Sequence, residues 1–502
     1  MERTKKFFYN SVSSAVLQII TMIVGIIIPR IVLKYYGSEI NGLVSSISQF
    51  ISYFTVVEAG LAGAATYALY KPLADSNFSE VNGIVSAAKK FYTQSGYIFV
   101  SLVLGLALIY PSFVKVDNIS NLSVIFLVIV LGFNGILEFF TLSKYRVLLT
   151  ADQKSYVISL ASIVQIIINT VIIFILSRLK VDVVIVRAVA LISILLRSVI
   201  LMIYVKSRYN YLNYNVKPNK KALNKRWDAL YLQILGSVQT GAPIILATIL
   251  TNLKSVSIYS IYNMILSGIN GILGIFINGL SSSFGDLIVR KQMDALKKAF
   301  NEFEFLYYNI VTIVYSISFV TIMPFIKIYT KGITDVNYNL PIVGFLFVLN
   351  GVLNSIKVPQ GMLVISAGMF KETRIQSTIQ ALIIIVFGVI LTPKYGINGI
   401  LIASCLSNLY RDIDLWIFVS KKITNLPIKN TLIRVIIIII EITVVCIPFK
   451  FISFSVNNFM QFIILAIIVG IYSTLIIIIF SFMFNKLELY GVLLRLKSII
   501  KK

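Results

Sequence analysis

"FIILAIIVGIYSTLIIIIF" (462–480) contains no charged residue and no alternation of apolar with polar side chains. A helix crosses the bilayer core in about 20 mainly apolar residues, whereas barrel strands alternate. Working outward, "LIRVIIIIIEITVVCI" (432–447) and, near the other end, "VLQIITMIVGIII" (16–28) have nearly the same character. Hydrophobic residues make up 58% of the 502 and charged ones 13%, against roughly 25% charged in a soluble protein. The chain reads as an all-α polytopic membrane protein.

Fourteen spans are expected, at 11–33, 40–66, 91–110, 120–142, 156–177, 182–205, 229–251, 256–284, 305–327, 340–366, 375–392, 395–419, 431–449 and 460–484. The longest polar stretch, 206–228, is a basic linker at mid-chain, and no connection is long enough to hide a soluble catalytic domain. The net charge of +25 follows topology. The amino terminus and every second loop carry most of the Lys and Arg, and basic loops stay cytoplasmic. Both termini are therefore expected inside, and nucleic acid is not an expected partner. "MERTKK" and the apolar run after it look like a secretory signal, but the run is long and lacks a cleavage site, so a retained first helix is expected. The chain has no histidine, which removes the usual zinc sites and neutral-pH base. Cys405 and Cys446 lie in separate spans and are expected to be buried, without a disulfide or metal. No G-x-x-x-x-G-K-[ST] loop occurs, so ATP hydrolysis is not expected.

The linker separates six spans from eight, and the two parts echo each other. "LLTADQKSYVISLASIVQ" (148–165) matches "VISAGMFKETRIQSTIQ" (364–380), with Lys154 and Lys371 217 positions apart and Gln165 and Gln380 215 apart. "EAGLAGAA" (58–65) matches "INGLSSSF" (277–284), placing Gly60 opposite Gly279. The expected organisation is an N-lobe (1–205), the linker (206–228), a C-lobe (229–420), and two added helices with a basic tail (421–502). The lobes form a parallel repeat around a central cavity. Each lobe has one polar stripe at helical spacing. The first is Asn41, Ser45, Ser48, Ser52 and Thr55, ending on Glu58; the second is Ser260, Asn263, Ser267, Asn270, Gly274, Asn278 and Ser281. Such stripes either pack helices closely or line water. Their equivalent positions favour a cavity lining.

Ionisable groups at membrane depth are costly unless paired or hydrated. Arg30, after Pro29, and Arg187 lie near the outer end, where snorkelling to the interface is the alternative to function. Glu58, Glu138, Arg197, Lys357, Arg411, Asp412 and Asp414 lie in the cytoplasmic half, and Glu441 near the midplane. Arg411, Asp412 and Asp414 read first as a structural ion cluster. Lys357, two residues before Pro359, stands where a kink would expose backbone. Glu58 and Glu138 are candidates to hold a proton or pair with a cation.

"IIPRIVLKYYGSEINGLVSSISQFISYFTVVEAGLAGA" (27–64), "LYKPLA" (69–74), "SKYRVLLTADQKSYV" (143–157), "SAGMFKET" (366–373), "YGINGILIA" (395–403) and "NLYRD" (408–412) carry a resemblance. It is to the multidrug/oligosaccharidyl-lipid/polysaccharide exporter superfamily, in particular its bacterial polysaccharide (Wzx-type) flippases, along the full length. The resemblance implies alternating-access transport of an undecaprenyl-diphosphate-linked oligosaccharide from the inner to the outer leaflet of the bacterial cytoplasmic membrane. The partners implied are that lipid-linked glycan, membrane lipids and the polysaccharide polymerase. The last two helices would help form a groove for the lipid tail. On this reading Arg30, Lys357, Arg197, Arg411, Asn41, Ser48, Asn263 and Asn270 contact the substrate. Glu58 and Glu138 serve ion coupling, with a proton or sodium gradient as the drive and no other cofactor. The alternatives are a lipid II or multidrug exporter of the same superfamily. Multidrug extruders typically use a first-helix carboxylate, absent here, and lipid II flippases a first-helix arginine pair, where this chain has Arg30 alone. From another class, a membrane-embedded glycan polymerase or ligase would need a large external loop.

Overall fold

In the computed structural model of the chain, residues 3–58, 61–117, 119–219, 226–277, 281–452, 454, 456–486 and 488–491 are described. Gly60 and Gly279 of the repeat, Asn278 of the second stripe, the linker residues 220–225 and the basic tail from 492 lie outside them. Helix dominates, and no strand occurs among the described residues. Apolar surroundings leave backbone N–H and C=O groups no water to bond, so the continuous apolar runs satisfy themselves as helices.

The chain forms two compact units, Met1–Ser260 and Ile261–Lys502. The first begins with α1 (Arg3–Phe54), a 3-10 turn (Thr55–Glu58) and α2 (Leu61–Ala74). It continues through α3 (Phe78–Phe113), α4 (Asn121–Leu137), a π turn (Glu138–Leu142) and α5 (Ser143–Ala151). Then come α6 (Ser155–Arg178), α7 (Val183–Arg208), α8 (Arg226–Leu250) and the start of α9 (Leu253–Ile277), which carries the boundary. The second unit holds α10 (Ser281–Val289), α11 (Met293–Tyr329), α12 (Pro341–Ile356) and α13 (Val358–Ser366). It ends with α14 (Arg374–Tyr395), α15 (Ile397–Val419), a π turn (Ser420–Thr424), α16 (Ile428–Phe451) and α17 (Phe459–Phe484).

Among the described residues, 12 helical stretches are long and apolar enough to cross a membrane. The first, Phe8–Ala74, holds two of the expected spans. Gly37 breaks α1 with φ 83° and ψ 177°, a conformation open to glycine and strained for any side chain. The 23-residue α15, with Arg411, Asp412 and Asp414, is the other expected span outside those 12. The chain is a multi-pass membrane protein. Several helices outrun their apolar runs. α3 was expected from residue 91 but starts at Phe78, because the Asn77 side chain accepts from the Glu80 N–H at 3.2 Å. A helix begins where a cap meets its orphan donors, and that point need not be the membrane edge.

In the first unit α6 packs on α1 and α7, and α3 on α4. The second half of α1 also receives α8, which the sequence reading placed in the C-lobe. Close approach depends on small residues. A Cβ at Gly42 would stand 1.9 Å from the Leu253 carbonyl oxygen. In the second unit α14 and α12 pack on α15, and α16 and α17 on α11, over a core of Ile328, Val445, Val456, Leu465 and Val469.

The start of the linker is docked on α3. Asn82 Nδ2 donates to the Tyr211 carbonyl (3.0 Å) and Asn82 Oδ1 accepts from Asn213 N (3.0 Å). Ser86 Oγ donates to the carbonyls of Tyr214 (3.1 Å) and Val216 (2.8 Å), and Asn219 N to that of Gly83 (3.0 Å). Beside it, Asp152 accepts from Lys6 Nζ (3.1 Å), Lys154 Nζ (2.7 Å) and Tyr209 OH (2.6 Å). Burial alone would raise the Asp152 pKa, but hydrogen bonds from Lys154, Tyr209 and Lys6 outweigh it and hold the carboxyl below its ordinary value.

Two outcomes follow. Gly42→Val is expected to destabilise the protein by about 1–3 kcal/mol or more through overpacking. Its thermal midpoint in detergent should fall, while Gly63→Val, with open space around it, should not shift it. Asp152→Asn is expected to cost about 1.5–3 kcal/mol at neutral pH. A depressed folded pKa gives stability that is present above the unfolded value and lost as pH falls through the folded one. The gap between wild type and Asp152→Asn, read as thermal midpoints, should therefore close as the pH drops below 3.8.

Candidate functional site

The first stripe changes character along its length. Asn41 is buried, and its Nδ2 donates to Ser257 Oγ (2.8 Å) and Ser260 Oγ (3.3 Å). One turn on, Ser46 Oγ accepts from Tyr110 OH (2.8 Å) and Thr248 Oγ1 (2.7 Å). Here small polar residues join helices. Farther along, Ser48, Ser52 and Thr55 are exposed. The second stripe shows the same gradient, with Ser260 and Asn263 half-buried and Ser267 and Asn270 exposed. Close packing holds at one end of each stripe and exposed side chains stand at the other.

Ser48, Thr55 and Glu58 border a cavity of about 560 Å³ within the first unit. Its other polar lining comes from Asn134 and Glu138 at the end of α4, Arg146 on α5, Gln165 and Asn169 on α6, and Arg187 on α7. Arg187 thus faces this cavity. Both carboxylates sit where the α-helical ladder is interrupted, Glu58 in the 3-10 turn and Glu138 at the head of the π turn. Such interruptions turn side chains away from the regular helical face and recur at functional sites.

Arg146 joins the two acids. Its Nη2 lies 2.5 Å from Glu58 Oε1 and its Nη1 3.1 Å from Glu138 Oε1. Arg197 Nη1 adds a contact of 3.6 Å to Glu138 Oε2 and donates to Gln165 Oε1 at 3.2 Å. Glu58 Oε2 has no hydrogen-bond partner among the described residues. Arg146 and Arg197 stand against the two carboxylates, and Arg187 brings a third guanidinium to the wall of the same cavity. The cluster itself is balanced, Arg187 makes the cavity as a whole positive by one, and guanidiniums bind planar anions through paired N–H groups. An anion can compete with Glu58 or Glu138 for Arg146, and protonation of either acid would release it.

In the second unit Lys357 stands between α12 and α13, at the break expected before Pro359. Its Nζ donates to Asn408 Oδ1, and Asn408 also accepts from Gln380 Nε2 (3.4 Å) and donates to Asn350 Oδ1 (2.8 Å). Asp412 is fully buried, neither carboxylate oxygen has a hydrogen-bond partner among the described residues, and its charge interacts with that of Lys357. Arg411 pairs with Asp414 at 2.6 Å. The offset from Gly60 to Gly279 carries Glu138 onto Lys357, and the offset from Gln165 to Gln380 carries Arg197 onto Asp412. By these two offsets, which differ by four, the sequence echo sets Lys357 and Asp412 near the positions of Glu138 and Arg197 with the charges exchanged.

Of the sequence-predicted residues, Ser48, Glu58 and Glu138 line the first unit's cavity, with Arg197 bonded to Glu138. Asn41 lies in the packed end of the stripe, Arg30 is half-buried on α1, and Lys357 and Arg411 belong to the second unit's cluster. Asn263 and Asn270 take part in neither. Four charged residues of these clusters escaped sequence reasoning. Arg146 lies in "SKYRVLL", which the resemblance singled out without giving it a role. Arg434 of α16 pairs with the buried Glu304 of α11, and also with Glu488 at 2.9 Å. Thr431 Oγ1 (2.9 Å) and Gln360 Nε2 (2.6 Å) complete the shell of Glu304.

No family model matches the chain, and no curated protein matches it. Solved structures do share its fold. An inward-facing multidrug resistance MATE family transporter of the MOP superfamily matches with a TM-score of 0.67 at 14% identity, over 80% of this chain and 94% of that one. The lipid II flippase MurJ in an inward closed conformation matches with a TM-score of 0.62 at 14% identity, over 95% and 99%. The MATE multidrug transporter DinF-BH, solved as a complex, matches with 0.61 at 13%, over 84% and 96%. The chain shares the fold of these solved transporters and of the lipid II flippase.

In a background lacking Cys405 and Cys446, Ser48→Cys is expected to react with a water-soluble thiol reagent, and Asn41→Cys to resist it. Equal labelling of both would place the whole stripe in solvent. A double-mutant cycle between Arg146→Ala and Glu58→Gln should show a coupling of about 0.5–3 kcal/mol, read from thermal midpoints.

Proposed function

We propose that the chain is a flippase carrying a polyprenyl-diphosphate-linked oligosaccharide from the inner to the outer leaflet of the bacterial cytoplasmic membrane, by alternating access, with both termini cytoplasmic. The observation that carries the reading is the surplus of guanidinium over carboxylate in and beside a cavity whose other polar lining is hydroxyls and amides. A diphosphate needs cations, sugars need hydrogen-bonding walls, and the prenyl tail can stay in lipid. The likeness to the lipid II flippase supports this, because it spans 95% of the chain and so takes in α16 and α17.

In the proposed cycle the diphosphate takes Arg146 from its carboxylates, aided by Arg197 and Arg187, while Ser48 and Asn134 contact the glycan. Glu58, with one oxygen free among the described residues, accepts the coupling proton when Arg146 turns to the substrate. Lys357, Arg411, Asn263 and Asn270 serve the second unit's half of the path and Arg30 the outer end, while Asn41 holds α1 to α9. The inside-negative potential drives an anion outward by about 2.3 kcal/mol per charge per 100 mV if the charge crosses the whole field.

A vesicle assay with a fluorescent polyprenyl-diphosphate oligosaccharide, potential clamped, tests this. Wild type is expected to expose the label to an external probe, and Arg146→Ala to lose most of that activity at normal membrane abundance. Glu58→Gln should slow it and abolish its dependence on the pH gradient. Export of a cationic dye instead, with no movement of the lipid-linked glycan, would favour the multidrug reading.

A further inference from the structure

The docked linker brings a tyrosine against lysines that the cavity does not use. Lys89 of α3 places its Nζ 5.7 Å from the centroid of the Tyr214 ring, and Lys144 of α5 places its own 5.5 Å from the same centroid. Lys144 also lies 5.0 Å from the ring of Tyr145. Lys206, in the last turn of α7, is near enough for its charge to act on Lys144, as that of Lys89 does. The ring is held in place, because Ser86, one turn before Lys89, donates to the Tyr214 carbonyl. Among the described residues none of the three lysines forms an ion pair with a carboxylate. Tyr214 OH has no hydrogen-bond partner among them either.

A preference for basic loops on one side of the membrane explains lysines on this face. It does not explain two of them, from two helices, converging on one anchored ring, with a third from α7 acting on Lys144. Ammonium groups crowd together unfavourably unless an anion is shared between them, and a ring face offsets only part of that repulsion. We infer that Lys89 and Lys144 around Tyr214, joined by Lys206 on the Lys144 side, form a binding site for a phosphate or diphosphate anion at the linker end of the first unit, separate from the Arg146 cavity. Ammonium groups suit this ligand, each bringing a compact charge and three rotatable donors to the phosphate oxygens. The anion is either a phospholipid headgroup or a diphosphate arriving from solution.

The probe is inorganic pyrophosphate, followed by phosphorus NMR line broadening on the full chain in neutral detergent at fixed ionic strength. Broadening is expected with wild type, and each lysine replaced by Gln should weaken apparent affinity roughly fivefold, by about 1 kcal/mol per basic residue. Lys206→Gln alone, at an exposed position, gives the readout if the triple variant fails to fold. The control Lys371→Gln/Lys421→Gln/Lys422→Gln, at exposed positions in the second unit, should bind as wild type does. The source is separated in nanodiscs. Phosphatidylglycerol discs that suppress pyrophosphate broadening, where phosphatidylcholine discs do not, identify the headgroup; equal broadening in both identifies the soluble anion. Broadening unchanged in Lys206→Gln and in the triple variant, or reduced equally by the control, overturns the site.

Discussion

A charge placed in an apolar helix bundle must be paired or hydrated, and this requirement governs where the chain abandons regular helix. Glu58 sits in a 3-10 turn, Glu138 opens a π turn and Lys357 separates α12 from α13. Each interruption frees backbone groups, which membrane proteins tolerate only inside protein or beside water. Charge and irregular backbone therefore fall together, and one polar cluster satisfies both. The remaining surface is free to be apolar, as the exposed isoleucines of α17 illustrate.

The same requirement explains how α16 joins the second unit. Arg434 enters an apolar helix only because Glu304 and Glu488 receive it and Thr431 and Gln360 fill the remaining sites on Glu304. Removing one partner from such a pair strands the other, which costs more than the pair contributes while intact. The cluster thus fixes which face of α16 meets α11, a choice that uniform isoleucine could not make. The apolar contacts of Val445, Leu465 and Val469 then add area without having to specify register.

Continuous apolar runs made the spans legible, since a period-free run of that length has one stable form in lipid. The break before Pro359 was legible for a steric reason, and the stripe for its helical spacing. What the sequence could not show was pairing across distance. Glu58 and Arg146 are 88 positions apart, and nothing in the spacing of either names the other. Arg434 hid within an isoleucine run. The two characters of the stripe were also invisible, because Asn41 and Ser48 belong to one pattern while only the structure brings Ser257 to Asn41. The helix extensions at α3 escaped for a different reason: a cap residue sets that boundary, and apolarity reports only the membrane.

The boundary between the compact units lies within α9, well past the linker at which the sequence repeat restarts. α8 and the first turns of α9, by sequence the opening of the second repeat, complete the first unit by packing on α1, with Leu253 against Gly42 and Ser257 against Asn41. In topological terms the second repeat lends its first helix to the unit before it. Residues 1–205 alone would leave the Gly42 face of α1 bare, and a chain severed at the linker would yield two interdependent fragments, neither a self-sufficient half. During synthesis, likewise, the Gly42 face of α1 stays uncovered until α8 and the start of α9 have been made.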